Sequence, residues 1–166
     1  MMPDKTKLRV LRIVDGTSVD GPGLRTSIYF AGCNHCCEGC HNRMSWDFDV
    51  GIEMTVDEIV AHVNEQDFNV TLSGGDPLYQ IEALLPLVRR LCADGRHVWC
   101  YTGYTYGQVC ADKSLCRILD YIDVLVDGPF VSTLRDLSLR FRGSSNQRLV
   151  DVARSTPGNI VDFELP

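Results

Sequence analysis

The pattern of apolar and polar positions divides this chain into short strands alternating with helices. Leu8 to Val14 and Leu24 to Ala31 are apolar runs of strand length, the second with the near-continuous character of a strand covered on both faces. Thr55 followed three residues later by Glu58 makes a capping box. Val56, Ile59, Val60 and Val63 then recur at helical spacing, which predicts a helix over 55–66. Phe68 to Leu72 reads as a short strand that breaks off at Ser73-Gly74-Gly75-Asp76-Pro77. Ile81, Leu84, Leu85, Val88 and Leu91 predict a second helix closed by Gly95. Pro86 falls inside it, where its ring removes a hydrogen bond, so a kink or restart is expected there. A strand over His97 to Tyr101, a short helix over 112–120, a strand over Ile122 to Val126 and a last strand over Leu149 to Val152 complete the series. The tail from Thr156 to Pro166 is loosely specified.

Strands alternating with helices imply right-handed crossovers and a mainly parallel sheet, hence the α/β class. Ligands of such sheets sit beyond the carboxyl ends of the strands, where the loops share one rim. The segment 31–42, Ser73 to Asp76, Thr102-Gly103-Tyr104 and Asp127-Gly128 each follow a predicted strand, so all four are expected on that rim.

At 166 residues, 45% hydrophobic and 23% charged, the chain has the size of a single domain over 1–166, with its core over about 8–153. Such a domain folds without disulfide staples. No repeat, low-complexity tract or linker interrupts it. The start, Met1 to Lys7, lacks the apolar run of a signal peptide. No stretch approaches the roughly 18 apolar residues of a membrane span. The expectation is a cytoplasmic protein with reduced thiols and no membrane contact. A net charge of −6 argues against a nucleic-acid-binding surface; Arg135, Arg140, Arg142 and Arg148 form the one local basic patch.

Four of the eight cysteines lie in Ala31-Gly32-Cys33-Asn34-His35-Cys36-Cys37-Glu38-Gly39-Cys40-His41-Asn42. Cys33-x3-Cys37-x2-Cys40 has spacing suited to an iron-sulfur cluster: three thiolates can bind three irons of a 4Fe-4S cube and leave the fourth open to a small molecule. The same stretch also reads as two abutting Cys-x2-Cys pairs of a four-thiolate zinc site. Adjacent Cys36 and Cys37 reach one metal together only with difficulty, which favours the cluster. Cys36 remains an extra thiol within the motif. His35 and His41 flank cysteines, and polar partners for a crowded loop explain them better than metal ligation does. Cys92, Cys100, Cys110 and Cys116 fall in predicted elements and read as small buried hydrophobes. Ser73-Gly74-Gly75-Asp76 has two readings. Its glycines admit close approach of a zwitterionic amino acid moiety, whose ammonium Asp76 can take; it is also an ordinary strand-to-helix turn.

Taken together, these motifs resemble a known family. Asp20-Gly21-Pro22-Gly23-Leu24-Arg25-Thr26, the cysteine segment, Ser73 to Leu78, Thr102 to Thr105, Val124 to Phe130 and Arg142 to Arg148 occur in this order in the activating proteins of anaerobic ribonucleotide reductase. These are small radical S-adenosylmethionine (SAM) enzymes. The resemblance, over about residues 8–153, implies a partial, open (β/α) barrel. It implies that Cys33, Cys37 and Cys40 ligate a 4Fe-4S cluster whose open iron chelates SAM. It further implies that Gly39, Cys40 and His41 lie where the adenine packs, that Ser73, Gly74, Gly75 and Asp76 meet the SAM ammonium, and that Thr102, Ser145 and Asn146 complete the cofactor site. The implied reaction is reductive cleavage of SAM to a 5'-deoxyadenosyl radical, which takes hydrogen from a glycine of the large reductase subunit. No side chain is expected as acid, base or nucleophile. Cluster chemistry at the reducing end of the scale needs a low-potential donor, such as flavodoxin. The rivals are an activator of a formate-lyase-type glycyl-radical enzyme and a non-enzymatic metal-binding or electron-transfer module.

Overall fold

A computed structural model of the chain describes residues 2–166. The strands are β1 (Lys7–Thr17), β2 (Arg25–Phe30), β3 (Ile52–Thr55), β4 (Asn69–Gly74), β5 (Val98–Tyr101), β6 (Val124–Asp127) and β7 (Arg148–Asp151). The helices are α1 (Val56–Gln66), α2 (Ile81–Ala93) and α3 (Tyr106–Ala111). One open sheet runs in the order β3-β1-β2-β4-β5-β6-β7. Its four central strands, β2, β4, β5 and β6, are parallel. Beyond them β1, β3 and β7 are antiparallel additions. The expected parallel barrel segment is therefore the middle of a mixed sheet.

Strand alternation sorts the side chains onto two faces. Ile28, Phe30, Val70, Leu72, Val98, Cys100 and Leu125 form one core with Ile59, Val60 and Val63 of α1 and Leu84, Val88 and Leu91 of α2. α1 begins as its sequence predicts, with Thr55 and Glu58 forming a reciprocal capping box. α2 runs through Pro86 without interruption. Its five buried apolar side chains outweigh the one backbone bond that proline removes.

The opposite face carries a smaller cluster of Trp99, Val124, Val126 and Leu149. The tail closes over it. Phe163 packs edge-on against Trp99 with ring centroids 5.5 Å apart, and its N–H donates to the Leu149 carbonyl at 2.7 Å. The segment that looked unspecified is thus anchored by Phe163, by Leu165 on the same cluster, and by backbone pairing of Val161 and Asp162 with β7. Two short elements also differ from the sequence reading. α3 precedes the 3-10 turn Leu115–Asp120, which replaces the expected helix over 112–120, and β3 pairs with β1.

Arg25 lies buried where β2, β4 and β5 begin. It donates to Thr71 Oγ1 at 2.7 Å, to the Val70 carbonyl at 2.6 Å and to the His97 carbonyl at 2.9 Å, and it stacks over the Trp99 ring. Burial pushes its pKa down to about 10, against the pull of Tyr101 and Asp123. It stays a cation at neutral pH and crosslinks three parallel strands.

His97 sits beside this guanidinium. Burial, the largest influence, lowers its pKa below the ordinary histidine value; Asp123 and Asp151 act the other way, and Arg25 adds to the lowering. The folded protein therefore holds this imidazole neutral at a pH where the unfolded chain protonates it. Stability is full above the unfolded value of about 6.5 and falls as pH drops below it, levelling off beneath the folded value. Denaturant midpoints measured between about pH 7.5 and 5.5 are expected to fall in the wild type and to fall less in His97→Gln. Parallel profiles for the two proteins would show that His97 carries none of the dependence.

Candidate metal centre and cofactor rim

The four parallel strands deliver their carboxyl ends to one edge, as their alternation with helices predicts. β2 ends at Phe30 and feeds the cysteine loop, and Phe30 is level with Gly74 at the end of β4. The loops after β5 and β6 continue the edge, linked by the Thr102 N–H to the Val126 carbonyl at 3.0 Å and the Gly128 N–H to the Tyr104 carbonyl at 2.8 Å.

The cysteine loop lies directly on the end of β4. Gly75 N–H donates to the Phe30 carbonyl, and Asp76 N–H donates to the Gly32 carbonyl, both at 2.8 Å. This contact is what the two glycines permit. A Cβ on Gly74, whose φ is +106°, would stand 2.2 Å from the Phe30 nitrogen. A Cβ on Gly75 would stand 2.5 Å from the Gly32 carbonyl oxygen. Any side chain at either position would drive loop and strand apart.

Asp76, 2% exposed, lies beneath the loop at the centre of this arrangement. Its Oδ2 accepts from His35 Nε2 at 2.6 Å, from Thr102 Oγ1 at 2.9 Å and from Gly103 N–H at 3.0 Å. Its Oδ1 accepts from Leu78 N–H at 2.9 Å, which caps the 3-10 turn Pro77–Gln80. Four protein donors thus engage this carboxylate, three on Oδ2 and one on Oδ1. The His35 ring lies over Gly103, where a Cβ would come within 2.5 Å of it, and meets Tyr104 edge-on at 4.5 Å. His35 is thus the strut between the cysteine loop and the β5 loop. Gln80 adds a second strut from below, donating to the carbonyls of Arg9 and Ala31.

Above this base Cys33, Cys37 and Cys40 are each partly exposed, and Cys36 is exposed. Cys36 takes a left-handed backbone, φ +51°, and Cys40 N–H closes a turn onto the Cys37 carbonyl at 3.2 Å. Burial pushes the Cys33 thiol up to about 11; a hydrogen bond from the His35 backbone opposes this, while Asp76, Cys37 and Cys40 add to it. Among the described residues no three Cys, His, Asp or Glu side chains converge as a single ion requires. A cube makes a different demand, since each thiolate takes its own iron. Three neighbouring thiols on an exposed, curled loop suit that donor set.

The other expected contacts divide by what they already do. Gly39 and His41 are exposed beside the thiols. Gly39 faces the chain after β6: a Cβ there would lie 3.4 Å from Ser132 Cβ and 3.6 Å from the Phe130 ring. Ser73 is half-buried at the end of β4. Thr102 is buried, and its hydroxyl is committed to Asp76. Ser145 is exposed. Asn146 donates to the Pro129 carbonyl at 2.8 Å, while its Oδ1 is buried without a partner. At the foot of this loop Asp127 accepts from Arg148 at 2.5 and 3.1 Å and from Tyr106 N–H at 2.7 Å, an arrangement that raises the Arg148 pKa.

Comparison with known proteins agrees with this centre. The 4Fe-4S single cluster domain family matches residues 19–150. Anaerobic ribonucleoside-triphosphate reductase-activating proteins are similar over most of their length. That of Escherichia coli K12 is 40% identical, over 78% of this chain and 89% of the relative. That of Haemophilus influenzae is 39% identical, over 78% and 88%. That of bacteriophage T4 is 37% identical, over 83% and 90%. The chain belongs to this family. Among solved structures, QueE from Escherichia coli shares the fold with a TM-score of 0.51 at 18% identity. That likeness covers 60% of this chain and spans about half, 54%, of the QueE chain. The match to a 4Fe-4S family settles the choice between cube and zinc that the cysteine spacing left open.

Sequence reasoning missed Arg25, Gln80 and the pairing of His35 with Asp76. A polar residue between closely spaced cysteines was the available signal for His35; nothing local marked its distant partner. Removing the central acceptor tests the strut. Asp76→Ala is expected to destabilise the fold by roughly 3 kcal/mol, since hydrogen bonds to a charged group contribute about 1.5–3 kcal/mol each and solvent recovers part of the loss. Thr102→Val is expected to cost about 1 kcal/mol. Urea midpoints of the two variants measure both. A smaller loss for Asp76→Ala than for Thr102→Val would contradict the hub.

Proposed function

We propose that this chain is the activating enzyme of an anaerobic ribonucleotide reductase, and that its cysteine loop carries the cofactor centre. The observation that supports this best is the loop itself: three partly exposed thiols, held over the ends of β4 and β5 by a buried carboxylate with four protein donors. The relatives that match most of the chain carry the name of that activity. Cys33, Cys37 and Cys40 would hold a 4Fe-4S cluster and leave one iron for SAM. When bound, the cluster and SAM supply a one-electron cleavage that yields a 5'-deoxyadenosyl radical for hydrogen abstraction from a glycine of the reductase.

The residues of this chain bind, orient and exclude water. Gly39, Cys40 and His41 form the exposed flank against which an adenine packs. Ser73, Gly74 and Gly75 set the edge that faces the methionine part. Asp76 and Thr102 act through the loop, because their acceptor and donor groups are already engaged with each other and with His35. Asn146 Oδ1, buried and unpaired, is an acceptor suited to a ribose hydroxyl. Ser145 stands beside it at the surface. A low-potential donor of the flavodoxin type delivers the electron, and a cytoplasmic location suits eight free cysteines. Among the described residues no helix is long and apolar enough to cross a membrane.

The test is an anaerobic assay for 5'-deoxyadenosine with SAM and reduced flavodoxin, with and without the large reductase subunit. Product is expected, together with a glycyl-radical signal when the subunit is present; no product under dithionite would exclude the SAM reading, and product with dithionite alone would exclude only flavodoxin. A second measurement separates the cysteines. Cys36→Ala is expected to retain iron and sulfide, and Cys37→Ala to lose most of both. The reverse result would reassign the ligand set.

A further inference from the structure

The chain between β6 and β7 is longer than a connection of two antiparallel neighbours requires, and it is folded. Val131 N–H donates to Oγ of the wholly buried Ser144 at 3.1 Å. Arg135 and Ser144 make an antiparallel bridge, Ser145 N–H donates to the Leu134 carbonyl at 2.9 Å, and Asp136 N–H to the Gly143 carbonyl at 3.3 Å. At the tip, Asp136 Oδ1 accepts from Ser138 N–H at 2.8 Å and Ser138 Oγ at 2.6 Å. The result is a pinned lobe.

A single exposed leucine is ordinary on a protein surface. This lobe exposes two on a fixed scaffold, Leu137 at 86% and Leu134 at 43%. Arg135 and Arg140 flank them, both exposed and neither paired with a carboxylate among the described residues. Residues 131–147 carry three arginines and one aspartate in a chain whose net charge is −6. The base of the lobe touches the cysteine loop, since Ser132 is the neighbour that a side chain on Gly39 would meet.

We propose that this lobe is the docking surface for the large reductase subunit, and that it enters an apolar socket ringed by carboxylates beside the radical-bearing glycine. The proposal rests on the activity proposed above. Hydrogen abstraction requires van der Waals contact, so the partner's glycine segment must come down onto the rim beside Gly39. A lobe whose base adjoins Gly39 then lies against the partner. Leucines supply the desolvated anchor. The arginines select an acidic surround and speed encounter, an effect that salt screens.

The test uses anaerobically reconstituted, full-length protein and the purified large subunit. Affinity is measured at low and high salt for wild type, Leu137→Asp and the double variant Arg135→Glu/Arg140→Glu. Iron content and SAM cleavage without the reductase serve as controls. Each variant is expected to bind the subunit roughly tenfold more weakly, with the double variant also losing the salt dependence. Iron content and reductase-free cleavage are expected to remain at wild-type levels. Affinities within about twofold of wild type for both variants would overturn the proposal while leaving the activity intact. A change in self-association with unaltered reductase affinity would overturn it too, assigning the lobe to a second copy of this chain. Wild-type protein that neither cleaves SAM nor binds the subunit would instead sink the underlying activity.

Discussion

A buried carboxylate is tolerable in a protein interior only when its oxygens are satisfied, because removing an ionised group from water without compensation costs far more than a fold can spare. Asp76 meets that condition with donors from three separate stretches of chain: the cysteine loop, the first turn after β4 and the loop after β5. The consequence is mutual dependence. If His35 leaves, the carboxylate is short of a donor at a place water does not easily reach. If the β5 loop moves, it is short of two. The rim is therefore held as one arrangement, and the position of the thiols follows from it.

Arg25 plays the matching part at the other end of the same strands. Three donor contacts and the face of Trp99 replace its hydration, and it forms no ion pair with a carboxylate among the described residues. Asp127 and Arg148 form a third fixed charge, between the antiparallel pair β6 and β7. Such groups are poor evidence of net stability, because well-packed apolar residues in their place are often as stable or more so. What they supply is a unique register. An open sheet of mixed direction has no barrel closure to fix how far one strand slides on the next. A guanidinium that must meet Val70 and His97 together removes that freedom.

Much of this was legible from local pattern. The parallel centre, α1 with its capping box and the four loops on one rim follow from apolar periodicity and from the rule that places functional loops at the ends of parallel strands. Where reading failed, the information was not local. β3 has only four residues and exists because β1 extends far enough to pair with it. α3 did have a signal in Thr105 and Gln108, which form a capping box, but with six residues it shows too little periodicity to stand out. The tail takes its place from Trp99, more than fifty positions earlier in sequence. For the site, the cysteine spacing pointed to the chemistry of the loop, whereas the roles of Gly74, Gly75 and Asp76 depended on what lies opposite them. The sequence suggests glycines opened for a ligand; in the structure a Cβ on either would also strike the backbone of β2 or the cysteine loop.

That distinction separates two sets of residues within one motif-rich region. Asp76, Thr102 and His35 engage one another beneath the loop, while Cys33, Cys37, Cys40, Gly39 and His41 are at least partly exposed. Cys36 shows the separation at its sharpest. A non-glycine residue at φ +51° carries a conformational cost of about 1 kcal/mol or more, and it persists only where neighbours over-determine it. The neighbour here is His35, anchored through Asp76, so the turn that carries the chain from Cys33 to Cys37 is sustained by the hub below. The strain in the loop and the buried carboxylate are then one device: the energy of the second supports the curvature of the first. A loop shaped in this way by its own protein has less ordering left to undergo when a cluster binds, which is the sense in which the scaffold contributes to binding it.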